Sequence, residues 1–190
     1  MPNKIRAFLA ITIPLKVQKN VEALLKGFRQ KAPEVNWFSP EKLHVTLYFF
    51  GDVDEQKLMN QMVPAVEAAI KSEPPLDLSC VGIGVFPDWK YPKVIWAGIS
   101  GDTDRLLLMH EQVVDNLKPF DLKRDKRLFR PHLTIGRADK IRKDAHVVQL
   151  VEHLGPIEFG HIPVKELTLF RSELTNDGPI YTPLKVLPLG

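Results

Sequence analysis

The sequence predicts a mixed fold of strands and helices built from two similar halves, and three observations carry that expectation. The order strand, helix, strand, helix runs twice along the 190 residues. A histidine and a threonine two residues apart occur in the apolar run LHVTLYFFG, Leu43 to Gly51, and again in RPHLTIGR, Arg130 to Arg137. His132 follows His44 by 88 residues, and at the same offset RAFLAIT from Arg6 overlies VIWAGIS from Val94, so that Phe8 meets Trp96 and Ile11 meets Ile99.

RAFLAITIP, Arg6 to Pro14, reads as a strand because apolar and β-branched residues dominate it and Pro14 closes it. From Leu15 to about Gln30, Val17, Val21, Leu24, Leu25 and Phe28 recur at helical spacing among lysines and glutamates, the pattern of an amphipathic helix. The turn-like APEV and SPEK segments lead into the first His/Thr strand. DVDEQKLMNQMVPAVEAAIKS then reads as a helix with Asp52 and Glu55 as a capping box and with Pro64 set to kink or interrupt it. Pro74 and Pro75 end it, and LDLSCVGIGVF returns as a strand. In the second half VIWAGIS is a strand, Asp102 to Leu117 a helix, RPHLTIGR a strand and Arg142 to Leu154 a helix. VKELTLFRS and the tail around IYTPLKVL finish the chain as strands. The GIG at Gly82 to Gly84 lacks the helix and further glycines of a nucleotide-binding fingerprint.

Composition narrows the function classes. With 44% hydrophobic residues the chain can bury a sizeable core as one compact unit or as two fused lobes. A formal net charge of +3 permits a phosphate-bearing partner but falls short of a protein held on duplex DNA by counterion release. The lone cysteine, Cys80, allows no intrachain disulfide and no thiolate zinc site, which fits a reducing compartment. The apolar run near the N-terminus is short, stops at Lys16 and lacks a cleavage site, and no apolar stretch approaches the roughly 20 residues of a membrane span. The expectation is a soluble, cytoplasmic protein.

In a strand, side chains alternate between faces. Leu43, Val45, Leu47 and Phe49 therefore point one way while His44, Thr46 and Tyr48 point the other; Leu133 and Ile135 likewise oppose His132 and Thr134. A single such histidine is ordinarily a hydrogen-bonded or half-exposed residue, but two copies of one figure need a common explanation. Zinc fits poorly, because neither strand places an Asp or Glu on the histidine face. A serine nucleophile fails for want of a G-x-S-x-G turn. His110, His146, His153 and His161 show no pairing pattern. Two imidazoles and two hydroxyls do suit phosphodiester chemistry, where one ring takes a proton from water, the other gives one to the departing oxygen, and hydroxyls donate to the phosphoryl oxygens. Such a site needs no metal and no cofactor.

LHVTLYFFG and PHLTIGR resemble the paired His-x-Thr motifs of the two-histidine phosphoesterases, specifically the LigT-like RNA 2′,3′-cyclic phosphodiesterases, once called 2′-5′ RNA ligases. RAFLAI, PKVIWAGI and GPIYTPL resemble that family's text at corresponding places, so the likeness runs over nearly the whole chain. The resemblance implies two similar α+β lobes related by a pseudo-twofold axis, each an antiparallel-rich sheet with helices on its outer side and one His-x-Thr strand in a shared cleft. The approximate lobe sequences are 1–90 and 91–190, with strands open to exchange between them. It implies His44 as general acid and His132 as general base, with Thr46 and Thr134 holding the phosphate. The implied reaction opens an RNA 2′,3′-cyclic phosphate end, tRNA fragments included, to a 2′-phosphomonoester, with reversible 2′-5′ ligation as the same chemistry run backwards. Small cyclic phosphates such as an ADP-ribose cyclic phosphate, or a non-catalytic RNA- or nucleotide-binding module, are the competing readings. No obligate protein partner is evident.

Around this centre, Arg130, Arg137 and Tyr48 are candidate substrate-binding residues, with Arg137 and Arg171 each either a phosphate ligand or the partner of a surface carboxylate. Arg130 departs from the family pattern and ends the basic run Lys123, Arg124, Lys126 and Arg127, which reads as a solvated loop or as an arm for upstream RNA phosphates. Trp37, Phe38 and Tyr48 are candidates for base stacking or for core packing.

Overall fold

Two antiparallel sheets share one strand order. In the first, β3 (His44–Asp54) pairs with β1 (Lys4–Thr12), then come β8 (Glu166–Thr175) and β9 (Gly178–Pro188). In the second, β6 (His132–Arg137) pairs with β5 (Val94–Gly101), then come β4 (Leu76–Phe86) and β7 (Glu158–Val164). The short β2 (Asn36–Trp37) is added on the outer side of β6. The computed structural model of the chain describes residues 3–122, 128–138, 146–152, 154–176 and 178–190; Lys123, Arg124, Lys126, Arg127 and His153 lie outside the described residues. The sheets draw on both halves of the sequence, since β4 belongs with β5 and β6 while β8 and β9 return to β1.

The register corrects the internal alignment. Thr12 faces His44 as Gly98 faces His132, and Ala10 faces Thr46 as Trp96 faces Thr134. The two ladders thus superpose β1 on β5 at an offset of 86, so that Ala10, not Phe8, matches Trp96. A slip of two residues keeps every side chain on its own face, so the hydrophobic pattern matches at the offset of 88 as well. Both histidine strands also carry a register shift at the same point, directly after the threonine: Leu9 faces Tyr48 and Ile95 faces Gly136. The extra residue of a bulge reverses the alternation beyond it.

The helices cover the outer faces. On α1 (Leu15–Lys31) Val17, Val21, Leu25 and Phe28 are buried, as their spacing requires, each contributing about 1.5–3 kcal/mol on full burial. This helix lies along β7 and α5 (His146–Glu152), with Asn20 Nδ2 donating to the Phe159 carbonyl at 2.7 Å. The segment expected to be one helix from Asp52 is different. β3 runs on to Asp54, with Asp52 opposite Arg6 in the ladder, and it is Asp54 that accepts from the Lys57 backbone N–H at 2.8 Å to start α2 (Glu55–Lys57). A π-helical turn, Leu58–Met62, then runs directly into α3 (Val63–Ile70), so the regular ladder is interrupted just ahead of Pro64, which has no N–H to continue it. α3 packs on α4 (Thr103–Leu117), which reaches β3.

Gly84 is a steric requirement of this packing. A Cβ there would lie 2.2 Å from the Trp96 ring, because the indole covers the bare backbone of β4. Gly84→Ala is expected to cost about 1–3 kcal/mol through overpacking, read as a lowered midpoint in urea or thermal unfolding. An unchanged midpoint would show that the indole has room to move.

Candidate active site

His44 and His132 are oriented by the same device. In each, ring Nδ1 lies within hydrogen-bond distance of the carbonyl oxygen two residues earlier: Lys42 at 2.8 Å for His44 and Arg130 at 2.7 Å for His132. A carbonyl only accepts, so Nδ1 carries the hydrogen and donates, and Nε2 is the atom whose protonation changes. A neutral ring then offers Nε2 as a base, and a protonated ring offers Nε2–H as an acid. The i−2 carbonyl is available because each histidine opens its strand directly after a non-strand segment, a turn of 3₁₀ helix at Pro40–Lys42 in one case and Arg130–Pro131 in the other.

Aromatic rings set both imidazoles in place. The Phe8 ring lies 4.7 Å from that of His44 and Tyr181 meets it edge-on at 5.1 Å, while Phe8 also stacks on Phe170 at 5.3 Å. In the other sheet Phe86 meets His132 edge-on at 5.0 Å and packs against Trp96 at 5.1 Å. Phe170 faces Phe8 across the ladder as Phe86 faces Val94, so the two sockets occupy matching rows. Trp96 and Thr134 pair directly, which puts the indole on the face of His132.

The electrostatics couple the two halves. Burial holds His44 below the ordinary histidine range, and the positive charges of Arg137 and His132 push in the same direction, against the Lys42 carbonyl, which favours the charged ring. Burial also raises the Tyr181 phenol, and Arg137 opposes that rise. Arg137 and His132 thus act on His44 across the cleft. The Cys80 thiol is pushed up to about 12 by burial in β4, well away from nucleophilic use.

The candidate residues divide accordingly. His44, Thr46, His132 and Thr134 share the facing sides of the two sheets, and the bulge after Thr134 brings Arg137 onto that side opposite Val94. The matching bulge after Thr46 removes Tyr48 from it. Tyr48 faces Leu9, whose side chain is fully buried, and its ring meets buried Phe50 at 5.0 Å, so simple alternation assigned the wrong face. Phe49 takes its place opposite Phe8 and stays 45% exposed under the Arg6 guanidinium, 4.7 Å from the ring centroid. Arg130 serves through its backbone carbonyl, with its side chain exposed. Arg171 pairs with Glu55 at 2.9 Å. Trp37 donates to the Ala32 carbonyl at 3.0 Å and covers Gly136, a packing role, and Phe38 packs against the core. Tyr181, Phe86 and Trp96 were not singled out as site residues; strand pairing, not local sequence, brings them in. His161 pairs with Asp77 at the surface, and the His110 ring stacks on Phe129 at 4.1 Å. Among the described residues, no group of three or more His, Cys, Asp or Glu side chains is placed to hold a metal ion, and no helix is long and apolar enough to cross a membrane.

Two like sheets that each present a carbonyl-held histidine and a threonine to one cleft define a two-histidine phosphoesterase architecture. The sequence matches the 2′-5′ RNA ligase superfamily over residues 14–176, and the chain belongs to that family. A protein named RNA 2′,3′-cyclic phosphodiesterase from Methanothermobacter thermautotrophicus is 36% identical over 191 residues, covering 98% of this chain and 100% of its own. One of the same name from Archaeoglobus fulgidus is 33% identical, over 95% of this chain and 98% of its own. The crystal structure of a Thermus thermophilus protein superposes with a TM-score of 0.80 at 26% identity, covering 97% of this chain and 98% of that one.

Proposed function

We propose that the protein hydrolyses RNA 2′,3′-cyclic phosphate ends to 2′-phosphomonoesters. The observation that carries this is the matched pair of imidazoles, each fixed through Nδ1 and each beside a threonine, in two sheets that share strand order and bulge. The names of the full-length relatives support the substrate class. In the proposed reaction His132 accepts a proton from water through Nε2 as the water oxygen attacks phosphorus in line. His44 gives its Nε2 proton to the 3′ oxygen as the bond from phosphorus to that oxygen breaks. The products are a 3′ hydroxyl and a 2′-phosphate. Thr46 and Thr134 donate to the non-bridging oxygens, where negative charge persists through the transition state. Arg137 adds a positive charge to the same region, and the Arg130 side chain, exposed to solvent, meets phosphates further along the chain. In the reversible 2′-5′ ligation an RNA 5′ hydroxyl takes the place of water: its oxygen bonds to the phosphorus of the cyclic phosphate as the bond to the 3′ oxygen breaks. Run backwards, the 3′ hydroxyl attacks the 2′-5′ linkage, the 5′ hydroxyl leaves and the cyclic phosphate re-forms, by the same proton transfers. RNA with a cyclic end is the partner, tRNA fragments among them.

The deciding experiment is product analysis of a short RNA carrying a terminal 2′,3′-cyclic phosphate. The expected product is the 2′-phosphomonoester, formed at an unchanged rate in EDTA, since the proton transfers and charge stabilisation all come from side chains. A 3′-phosphate product would reverse the assignment of the leaving oxygen. Loss of turnover in EDTA, restored by zinc or magnesium, would overturn the metal-free mechanism. Binding without any turnover would favour the non-catalytic reading.

A further inference from the structure

The β4–β5 hairpin tip, PDWKYPK from Pro87 to Lys93, has no part in the chemistry above, yet it leaves two large rings in water. Trp89 is 38% and Tyr91 57% exposed. Lys90 Nζ lies 5.4 Å from the centroid of the Tyr91 ring, and Lys93 is exposed beside them. Exposed aromatic rings interleaved with lysines offer stacking faces and positive charge side by side, the combination that single-stranded nucleic acid takes.

The tip is also held in shape. Asp88 Oδ1 accepts from the backbone N–H groups of both Lys90 (2.8 Å) and Tyr91 (3.0 Å). Lys93 N–H donates to the Phe86 carbonyl at 2.7 Å, the Lys93 carbonyl accepts from Ala138 at 3.0 Å, and Pro92 is buried. The only acid of the tip is thus engaged with backbone, while both lysines face out. A loop fixed this way loses little conformational entropy when a ligand docks on it.

Its position links it to the cleft. Phe86, at the base of the tip, meets the His132 ring at 5.0 Å, and Val94, at the other base, faces Arg137. Strand rise puts the row of Val94 and Arg137 about 13 Å from the row of Gly98 and His132, on the order of two nucleotides of extended chain. Positive charge runs along the same line through Arg137, Lys93 and Lys90.

We infer that the tip is a single-stranded RNA platform, on which bases lying 5′ of the cyclic phosphate end stack on Trp89 and Tyr91 while Lys90 and Lys93 meet the phosphates. Stacking on aromatic rings tolerates any base, and the lysines supply the charge that a polynucleotide has and a mononucleotide lacks. This rests on the phosphodiesterase reading and adds to it that the enzyme reads a chain beyond its terminal nucleotide.

The test pairs two measurements on the full chain and on Trp89→Ala/Tyr91→Ala. The first is the affinity for a fluorescent single-stranded RNA octamer ending in a 2′-phosphate, by anisotropy; the second is kcat/KM on a nucleoside 2′,3′-cyclic phosphate. The expected result is octamer binding weakened by about 10- to 100-fold with mononucleotide turnover unchanged. Trp89→Phe/Tyr91→Phe should restore octamer binding. Equal octamer affinity in wild type and double variant overturns the platform. So does a parallel fall in mononucleotide turnover, which would make the tip a support for His132. Self-association that disappears in the double variant would make it a protein contact instead and likewise overturn the inference. Should the wild type turn over no cyclic phosphate, the hydrolase reading falls, and the octamer affinities still decide the role of the tip.

Discussion

Alanine in place of either His44 or His132 is expected to slow cyclic phosphate opening by about 10²- to 10⁴-fold, the usual contribution of a positioned acid or base. The two variants should part company in their pH profiles. Wild-type kcat/KM should be bell-shaped, because one ring must be neutral while the other is protonated. Without His44 the residual reaction needs only the base, so it rises with pH and levels off. Without His132 it needs only the acid, so it falls as pH rises. Burial and the charges of Arg137 and His132 hold His44 below the ordinary value in the free protein, and a bound phosphate pulls the other way by favouring the charged ring. The His44 limb should therefore lie below about pH 6.5 in kcat/KM, which reports the free enzyme, and at higher pH in kcat, which reports the complex. Profiles that stay bell-shaped in both variants would hand the proton transfers to other groups. Limbs lost in the opposite pairing would keep the chemistry and exchange the two roles. The i−2 carbonyls make the test clean, since they fix the tautomer of each ring independently of the other.

What could be read from the sequence follows the physics of each element. Strands with short apolar runs, such as FLAI in β1 and LTLF in β8, and the helices α1 and α4 with their regular apolar stripes, declare themselves through composition and periodicity. β7 does not, because Gly160 at a positive φ and Pro163 break the alternation, and only its ladder to β4 makes it a strand. β2 has two residues and no local signal; it exists because Asn36 and Trp37 find the free edge of β6. His44, Thr46, His132 and Thr134 were legible because they precede the bulges. Tyr48 and Phe49 were not, since a bulge is a property of the pairing and leaves no mark in one strand's own alternation. For the same reason Arg137 was a candidate by charge alone, and the bulge opposite Ile95 and Trp96 gives the reason it faces the cleft. Tyr181 comes from the far end of the chain, and two ladders, β1 to β8 and β8 to β9, are needed to carry it to His44.

Arg137→Gln should lower kcat/KM by about 10- to 100-fold, the range set by losing a hydrogen bond to a charged group. A loss of rate alone would not separate a direct role from damaged packing, but Arg137 has a second signature. Its charge is one of the causes that hold His44 low, after burial and beside the charge of His132. Removing it lets the folded His44 move up toward the ordinary histidine value, so the limb that belongs to His44 should shift to higher pH. The phenol of Tyr181 should shift upward too, since Arg137 opposes the rise caused by burial, and its titration can be followed by ultraviolet absorbance. Arg137→Lys keeps the charge and gives up the planar fork, so it should leave the His44 limb close to its wild-type position while still losing part of the rate. A glutamine variant that loses activity with both titrations unmoved would place Arg137 outside the electrostatic reach of the cleft. Unchanged activity with a shifted limb would mean that its charge is felt by His44 but never by the phosphate.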